Sequence, residues 1–480
     1  MSASYSLLQE PWIPAADQSG AVTFFGIRSL LEQAHRLQRI SDPSPMVEYG
    51  LYRLLVVFLM DALRPQDEEE LEALLDAGRF DMDMIDQYIA MCQEEGVSFD
   101  LFDSKRPFLQ APYCAQWDKE TKPVSVLDYT IPTGNNHTHF DHRRSGEIAL
   151  SFGQAARLLP ALQLFCTAGV QNYPSGVNGA PPYFSVIQGE NLFETLVSSL
   201  LIMDDIHIKF DTPPVIWRSD IPVEPKKLVA RTSWLYGMLF PARRVLLIPD
   251  EANHCVSQVY LSQGMNYTAA DLWTDPHVAY RVNKQGRFPW RPDYKRAVWR
   301  NFNDLIETDH TPQIVRQYKT YIGRGNLLHI LLYGVQTNQA SYISAIYYDL
   351  KLPLAIIENP TASEFVRGAI AQAETLERAL KNTLTHPDIP PSTVSQAVQR
   401  YYDSCGKLLL HMCDTQMTGA GTDWRALNEM WLDAISKYAC DELDKAMELT
   451  SLRGKSLMEV TKQHSILFAE LRKQKERRTL

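Results

Sequence analysis

Thr361-Ala-Ser-Glu-Phe-Val-Arg-Gly-Ala-Ile-Ala-Gln-Ala-Glu-Thr-Leu-Glu-Arg-Ala-Leu380 is the stretch that divides this chain. Thr361 and Glu364 have capping-box spacing, in which a hydroxyl and a carboxylate each satisfy one backbone N–H of a helix start. Behind them Phe365, Ala369, Leu376 and Leu380 fall on one face at helical spacing. Three further segments of this kind follow. One runs from about Ser392 to Gln416 after Pro390-Pro391, and one from about Thr422 to Met447 after Gly419-Ala-Gly421. The last opens at Ser456-Leu-Met-Glu459 and puts Leu457, Val460, Leu467 and Leu471 on one stripe. Four such helices joined by short Gly/Pro turns predict an antiparallel four-helix bundle.

Working outward toward the N-terminus, this order disappears. His35 to Arg39 reads as a continuation of the Leu30–Leu31 helix, Met46 to Leu63 has 3–4 apolar spacing, and Asp67 to Leu75 reads as a solvated acidic helix. From Phe99 to about Asn303 the chain is rich in Pro, Gly and Asn. It carries short β-like runs such as Val245 to Ile248 and helices such as Phe152 to Cys166 and Leu192 to Leu201. The predicted class is α+β: a large, irregular mixed domain over residues 1–355, then the bundle over 356–480. A length of 480 residues fits more than one core.

The 45% hydrophobic and 22% charged fractions are those of a water-soluble globular chain. The opening residues lack the basic and apolar regions of a signal peptide. Apolar runs such as Leu51 to Met60 fall short of the roughly 20 residues a membrane helix needs. Seven scattered cysteines without C-x-x-C spacing read as reduced thiols in a cytoplasmic protein.

A net charge of −10 argues against a protein that simply coats nucleic acid, but the charge is uneven. From Thr361 onward 16 basic residues balance 16 acidic ones, so the whole deficit lies upstream. Asp67 to Asp86 is strongly acidic, whereas Pro276 to Tyr348 holds ten basic residues against four acids. That asymmetry suggests a focused anion-binding surface, with another face that repels nucleic acid or meets a basic partner.

Four segments carry candidate chemistry. In Trp273 to Arg300, six aromatics (Trp273, Tyr280, Phe288, Trp290, Tyr294, Trp299) alternate with cations including Arg281, Lys284, Arg287 and Arg291. Cations neutralise phosphates and aromatics stack on bases; the bland alternative is a surface β-segment with buried aromatics. Gly334 to Ser341 reads as a turn of short amides, including Asn338 and Gln339, between buried segments; amides both donate and accept at base edges. The alternative is an ordinary Asx turn or helix cap. A loop through Asn135 and Asn136 runs into His137-Thr-His139-Phe140-Asp141-His142, the H-x-H-x-D-H spacing of a metallo-β-lactamase zinc site. Such a zinc hydrolase needs further ligands from His207, His254 or His277. Gly169 through Gly176 and Gly179 form a Gly/Asn/Pro loop, including Gln171 and Asn172, with no phosphate-cradle pattern. It can approach a DNA groove or be a plain surface loop.

In this order, the segments resemble the CasA-type large subunit of the type I-E CRISPR Cascade complex. The resemblance rests on Leu7-Leu-Gln-Glu-Pro-Trp-Ile-Pro14, Phe102-Asp-Ser-Lys-Arg-Pro-Phe-Leu-Gln110, Pro132-Thr-Gly-Asn-Asn136 with Phe140-Asp-His142, and the loop after Gly169. Trp273-Thr-Asp-Pro-His-Val-Ala-Tyr280, Asn338-Gln339-Ala340 and the closing helices complete it. It implies a protein that is not an enzyme, needs no cofactor and recognises a protospacer-adjacent motif (PAM) in duplex DNA from the minor groove. By that resemblance Gln339, with Asn338 beside it, is the wedge that starts strand separation. Gly169, Gln171 and Asn172 match the glycine loop, although Val170, Gln171 and Asn172 stand where relatives can carry more glycine. Asn135, Asn136, Phe140 and His142 match a loop contacting guide RNA and adjoining subunits. The implied partners are double-stranded target DNA, guide RNA, the backbone, small and guide-end-capping Cascade subunits, and a recruited helicase–nuclease, with no membrane.

Overall fold

The computed structural model describes residues 3–131, 148–168, 173–206, 214–268, 273–284, 286–293, 296–302, 305, 310–318, 327–338, 341–354, 356, 359–417, 421–450, 458, 465, 467, 469–470 and 473. They form two compact units, one of residues 1–292, 312–322 and 329–350 and the other of 293–311, 323–328 and 351–480.

The first unit opens with β1 (Ile13–Asp17) and β2 (Val22–Phe25), followed by α1 (Ile27–Gln33) and β3 (Leu37–Ile40), the strands joining as an antiparallel sheet in the order β2-β1-β3. Here one expectation fails: the helix does not continue to Arg39. The chain tightens into a single 3₁₀ turn at Ala34–Arg36, and Leu37 turns extended at φ −89°, ψ 148°. Ladder pairing of Arg39 with Ala16 and of Ile40 with Ala15 overrides the local helical pattern.

α2 (Pro45–Leu63) starts on a proline at its first turn, which needs no N–H there, and is buried nearly all round, as a central core helix must be. It is followed by α3 (Glu68–Asp76), capped by the Asp67 carboxylate accepting from the Glu70 N–H, and α4 (Met82–Glu94). β4 (Thr121–Pro123) and β5 (Leu150–Ser151) precede α5 (Phe152–Leu164), whose Ser151 and Gln154 form a capping box. α5 lies across α2 at Gly50, where a Cβ would come within 2.9 Å of the Ala161 nitrogen. β6 (Phe184–Ile187), α6 (Leu192–Val197), β7 (Leu228–Val229) and α7 (Trp234–Met238) lead into the long hairpin of β8 (Arg243–Asp250) and β9 (Cys255–Gln263). β9 also pairs with β4 and β5, and β10 (Asn266–Tyr267) pairs with β7. After β11 (Tyr280–Asn283), β12 (Gly286–Pro289) and α8 (Gln313–Gln317) come β13 (Leu327–Asn338) and β14 (Ser341–Pro353), in a sheet of order β14-β13-β6.

The second unit is helical. α9 (Pro360–Leu384), α10 (Pro391–Gln416) and α11 (Trp424–Thr450) pack on one another, and the described residues from Met458 to Lys473 are helical too. The start of α9 is corrected by two residues: Asn359, not Thr361, is the N-cap, its side chain accepting from the Thr361 N–H. The buried stripe accordingly runs through Val366, Ala369, Ala373, Leu376 and Leu380, while Phe365 is half-buried against Trp424.

Candidate nucleic-acid interface

β11 and β12 pair antiparallel as Tyr280↔Pro289, Arg281↔Phe288, Val282↔Arg287 and Asn283↔Gly286. Gly286 sits at φ +130°, a backbone that only glycine adopts without strain. Among the described residues this two-stranded ribbon joins no further strand. Its base is fixed where the Trp290 N–H donates to the Ala279 carbonyl (2.8 Å) and the Tyr183 N–H donates to the Trp290 carbonyl (2.9 Å).

Beyond the base the ribbon enters solvent. Arg281, Lys284 and Arg287 are exposed, as is Arg291 past β12, and no acid occurs from Pro276 to Pro292. Paired residues of a ladder share a face, so Tyr280, Val282, Arg287 and Pro289 line one side while Arg281 and Phe288 line the other. The Arg287 guanidinium lies 4.4 Å over the Tyr280 ring, which orients that cation before any ligand arrives.

The aromatics largely follow the bland alternative. Trp273, Tyr280, Trp290 and Trp299 are buried, leaving Phe288 as the exposed one among the described members; Tyr294 lies outside the described residues. Burying a large ring outweighs any benefit of presenting it. Trp273 fills the space above Gly237, where a Cβ would come 2.2 Å from the indole nitrogen. Trp290 packs on Tyr183 at 4.6 Å.

The Trp273–Tyr280 segment is an anchor. Arg53 of α2 donates to both Asp275 oxygens at 2.8 Å, and both side chains are buried. The Asn178 amide (3.0 Å) and the His277 N–H (3.0 Å) also donate to that carboxylate, and the Asp275 N–H donates to the Tyr280 hydroxyl (2.8 Å). Arg53 lies over the Tyr49 and Phe184 rings at 5.3 and 5.4 Å. The sequence reading missed Arg53; its only signal was an arginine inside an apolar helix. Burial pushes the His277 pKa down to about 3, so the ring is neutral, with Nδ1 3.1 Å from the Ser185 carbonyl.

The basic stretch is split in two. Arg296 and Arg300, in the second unit, meet Glu374 of α9 at 2.8 and 3.1 Å, and Arg300 stacks 3.9 Å over the Tyr402 ring. Trp299 packs against Gly406 of α10, where a Cβ would come 2.4 Å from the indole nitrogen. These cations brace helices, whereas Arg281, Lys284, Arg287 and Arg291 are exposed.

The expected turn at Gly334 to Ser341 is also corrected. β13 runs through Gly334 to Asn338 and β14 resumes at Ser341, so most of the segment is strand. Gly334 abuts the exit of the cationic hairpin: a Cβ there would lie 2.6 Å from Pro292 and 2.9 Å from the Tyr183 ring. Asn338 follows four residues later, roughly 13 Å along an extended strand. Gln339 lies outside the described residues.

Gly169, Gln171 and Asn172 lie outside them as well, but both flanks of that loop are described. Buried Arg243, at the start of β8, donates to the Thr167 carbonyl (2.9 Å) and the Pro174 carbonyl (2.7 Å) and lies 5.3 Å over the Tyr173 ring. That clamp was invisible in sequence, because it joins residues 76 apart. Asn135, Asn136, Phe140 and His142 fall outside the described residues, as do His137, His139, Asp141 and His207 of the zinc alternative. Among the described residues no three His, Cys, Asp or Glu side chains are grouped to hold a metal, and no helix is long and apolar enough to cross a membrane.

The profile of the family described as CRISPR-associated protein Cse1 matches residues 6–441. A curated relative, the CRISPR-associated protein CasA/Cse1 of Thermus thermophilus, is 30% identical over 404 residues, spanning 79% of this chain and 76% of the relative. The fold is similar to that of Thermobifida fusca Cse1 (TM-score 0.82, 20% identity, 98% of each chain). It is also similar to that of Acidimicrobium ferrooxidans Cse1 (TM-score 0.79, 21% identity, 98% of each chain). A chain from a structure titled CRISPR RNA-guided surveillance complex matches with TM-score 0.78 and 20% identity, covering 97% of this chain and 99% of that one. None of these relatives supports a zinc hydrolase.

Proposed function

Because the chain belongs to the CRISPR-associated Cse1 family, we propose that it is the large subunit of a type I-E Cascade surveillance complex and reads the PAM in duplex DNA. The observation that carries this reading is the ribbon of Arg281, Lys284 and Arg287, exposed and with no acid in its sequence, whose exit at Pro292 abuts Gly334 of β13, five residues before Gln339 in the chain. The cations neutralise phosphates and hold the duplex without reading sequence. The minor groove distinguishes A·T from G·C poorly, so a few amides and backbone groups give tolerant recognition. Such tolerance suits a short licensing signal when guide-RNA pairing supplies the sequence information.

In this reading Gln339, with Asn338 beside it, wedges into the groove and begins unwinding; unstacking a step costs on the order of a few kcal/mol, which phosphate contacts offset. Gly169, Gln171 and Asn172 approach the minor groove, held at the loop's ends by Arg243. Asn135, Asn136, Phe140 and His142 contact guide RNA and the adjoining subunits. Residues 356–480 act as the bundle domain, bracing neighbouring subunits and the displaced strand. The protein works by binding in the cytoplasm and performs no chemistry; a recruited helicase–nuclease cuts. Gln339→Ala tests the wedge: the expected result is an intact fold and weakened R-loop formation on duplex DNA, and an unchanged R-loop yield removes Gln339 from the mechanism.

A further inference from the structure

The hairpin's two faces differ in chemistry. On one, Val282 is 54% exposed beside Arg287, whose guanidinium is held on the Tyr280 ring; that face offers a fixed cation and no free aromatic surface. On the other, Phe288 is 41% exposed and is paired across the ladder with Arg281. Every other described aromatic between Trp273 and Trp299 is buried in a specific slot, so the exposure of Phe288 is not for want of a core to join. Duplex phosphates need only cations; a phenyl ring gains nothing from them. An exposed ring flanked by cations instead matches the pattern by which single strands are held, with bases stacking on the ring and backbone phosphates meeting the charges. The faces of bases inside a duplex are covered by their neighbours, so this partner must be unpaired. The absence of any acid from Pro276 to Pro292 makes the ribbon complementary to a polyanion.

We propose that the Arg281/Phe288 face of the β11–β12 hairpin is a single-strand site, in which Phe288 stacks on an unpaired nucleotide while Arg281, paired with it across the ladder, and Lys284, in the turn at the hairpin's tip, hold the flanking phosphates. The inference rests on the duplex reading above, since strand opening beside the hairpin supplies the unpaired nucleotides. It orders the ribbon's work in time: the three cations meet duplex backbone before opening, and once a strand is released Phe288 adds a stacking surface that a duplex cannot use.

The test uses the full chain with a fluorescent 20-mer DNA oligonucleotide, the same sequence as duplex, and a second oligonucleotide carrying 2-aminopurine, whose emission falls on stacking. Phe288→Ala and Phe288→Leu should each weaken single-strand binding on the order of tenfold and abolish the 2-aminopurine quenching. Phe288→Trp should restore both, and duplex affinity should change less than twofold in all three. Full single-strand affinity in the alanine variant, or full quenching with leucine, overturns the stacking role. Equal losses for both DNA forms in the alanine variant also overturn it, since the ring would then serve only the ribbon's shape. The underlying reading fails separately: a triple Arg281→Ala, Lys284→Ala, Arg287→Ala variant that binds duplex as well as the parent removes the hairpin from DNA binding altogether.

Discussion

Neutralising the hairpin should change how binding responds to salt more than it changes binding at any single condition. Arg281, Lys284 and Arg287 are exposed on a ribbon with no acid nearby in sequence. Each phosphate contact on B-DNA contributes about −0.9 to the slope of log K against log salt, so losing three should flatten the slope by about 2.7. Between 50 and 200 mM salt the salt concentration changes fourfold, and the parent should then lose roughly 40-fold more affinity than an Arg281→Gln, Lys284→Gln, Arg287→Gln variant, an energy of about 2 kcal/mol. The structure supplies an internal control. Arg296 and Arg300 belong to the same basic stretch but face Glu374, so their double glutamine variant should leave the slope alone. Anisotropy titrations with a PAM-bearing duplex from 50 to 400 mM KCl measure both. An unchanged slope in the hairpin variant, or a flattened one in the Arg296/Arg300 variant, refutes the division of the stretch into binding and bracing halves.

Gly406→Ala would ordinarily strengthen a helix by up to about 1 kcal/mol, but here the new methyl meets Trp299 at 2.4 Å; overpacking of this kind costs roughly 1–3 kcal/mol. Denaturant melting should find the variant destabilised, and a gain in stability would show that Trp299 does not pack there. Glu48 is buried beside the Tyr333 hydroxyl, and burial raises its pKa from 4.5 to about 6. The folded state therefore holds this proton more tightly than the unfolded state, so Glu48 favours folding most below pH 4.5 and loses that contribution as pH rises through 6. The span corresponds to about 2 kcal/mol. Glu48→Gln should lack this fall between pH 4.5 and 6.5 and be the more stable form at pH 7; parallel pH profiles for the two proteins would contradict the burial argument.

What could be read from sequence was whatever local pattern dictates. Apolar spacing located α2 and the C-terminal helices, and the charge count located the cationic stretch, because periodicity and composition are properties of neighbouring residues. Contacts across long separations were not legible. Nothing near Arg53 announces Asp275, 222 residues away, and nothing near Arg243 announces Thr167. The same limit explains the misjudged aromatics: alternation with arginines gives Trp273, Tyr280, Trp290 and Trp299 the look of a stacking surface, yet each has a slot in one of the two cores. β3 and the long course of β13 were misread for a related reason, since strand pairing with β1 and β14 overrides what the residues prefer alone.

The most direct measurement compares two duplexes, identical in protospacer but differing in the flanking motif, for binding to a guide-RNA complex assembled with and without this chain. With the chain present, the correct flank should bind at least tenfold more tightly, and without it the ratio should fall to one. Equal affinity for both flanks in the complete complex would contradict the claim that this protein reads DNA beside the target.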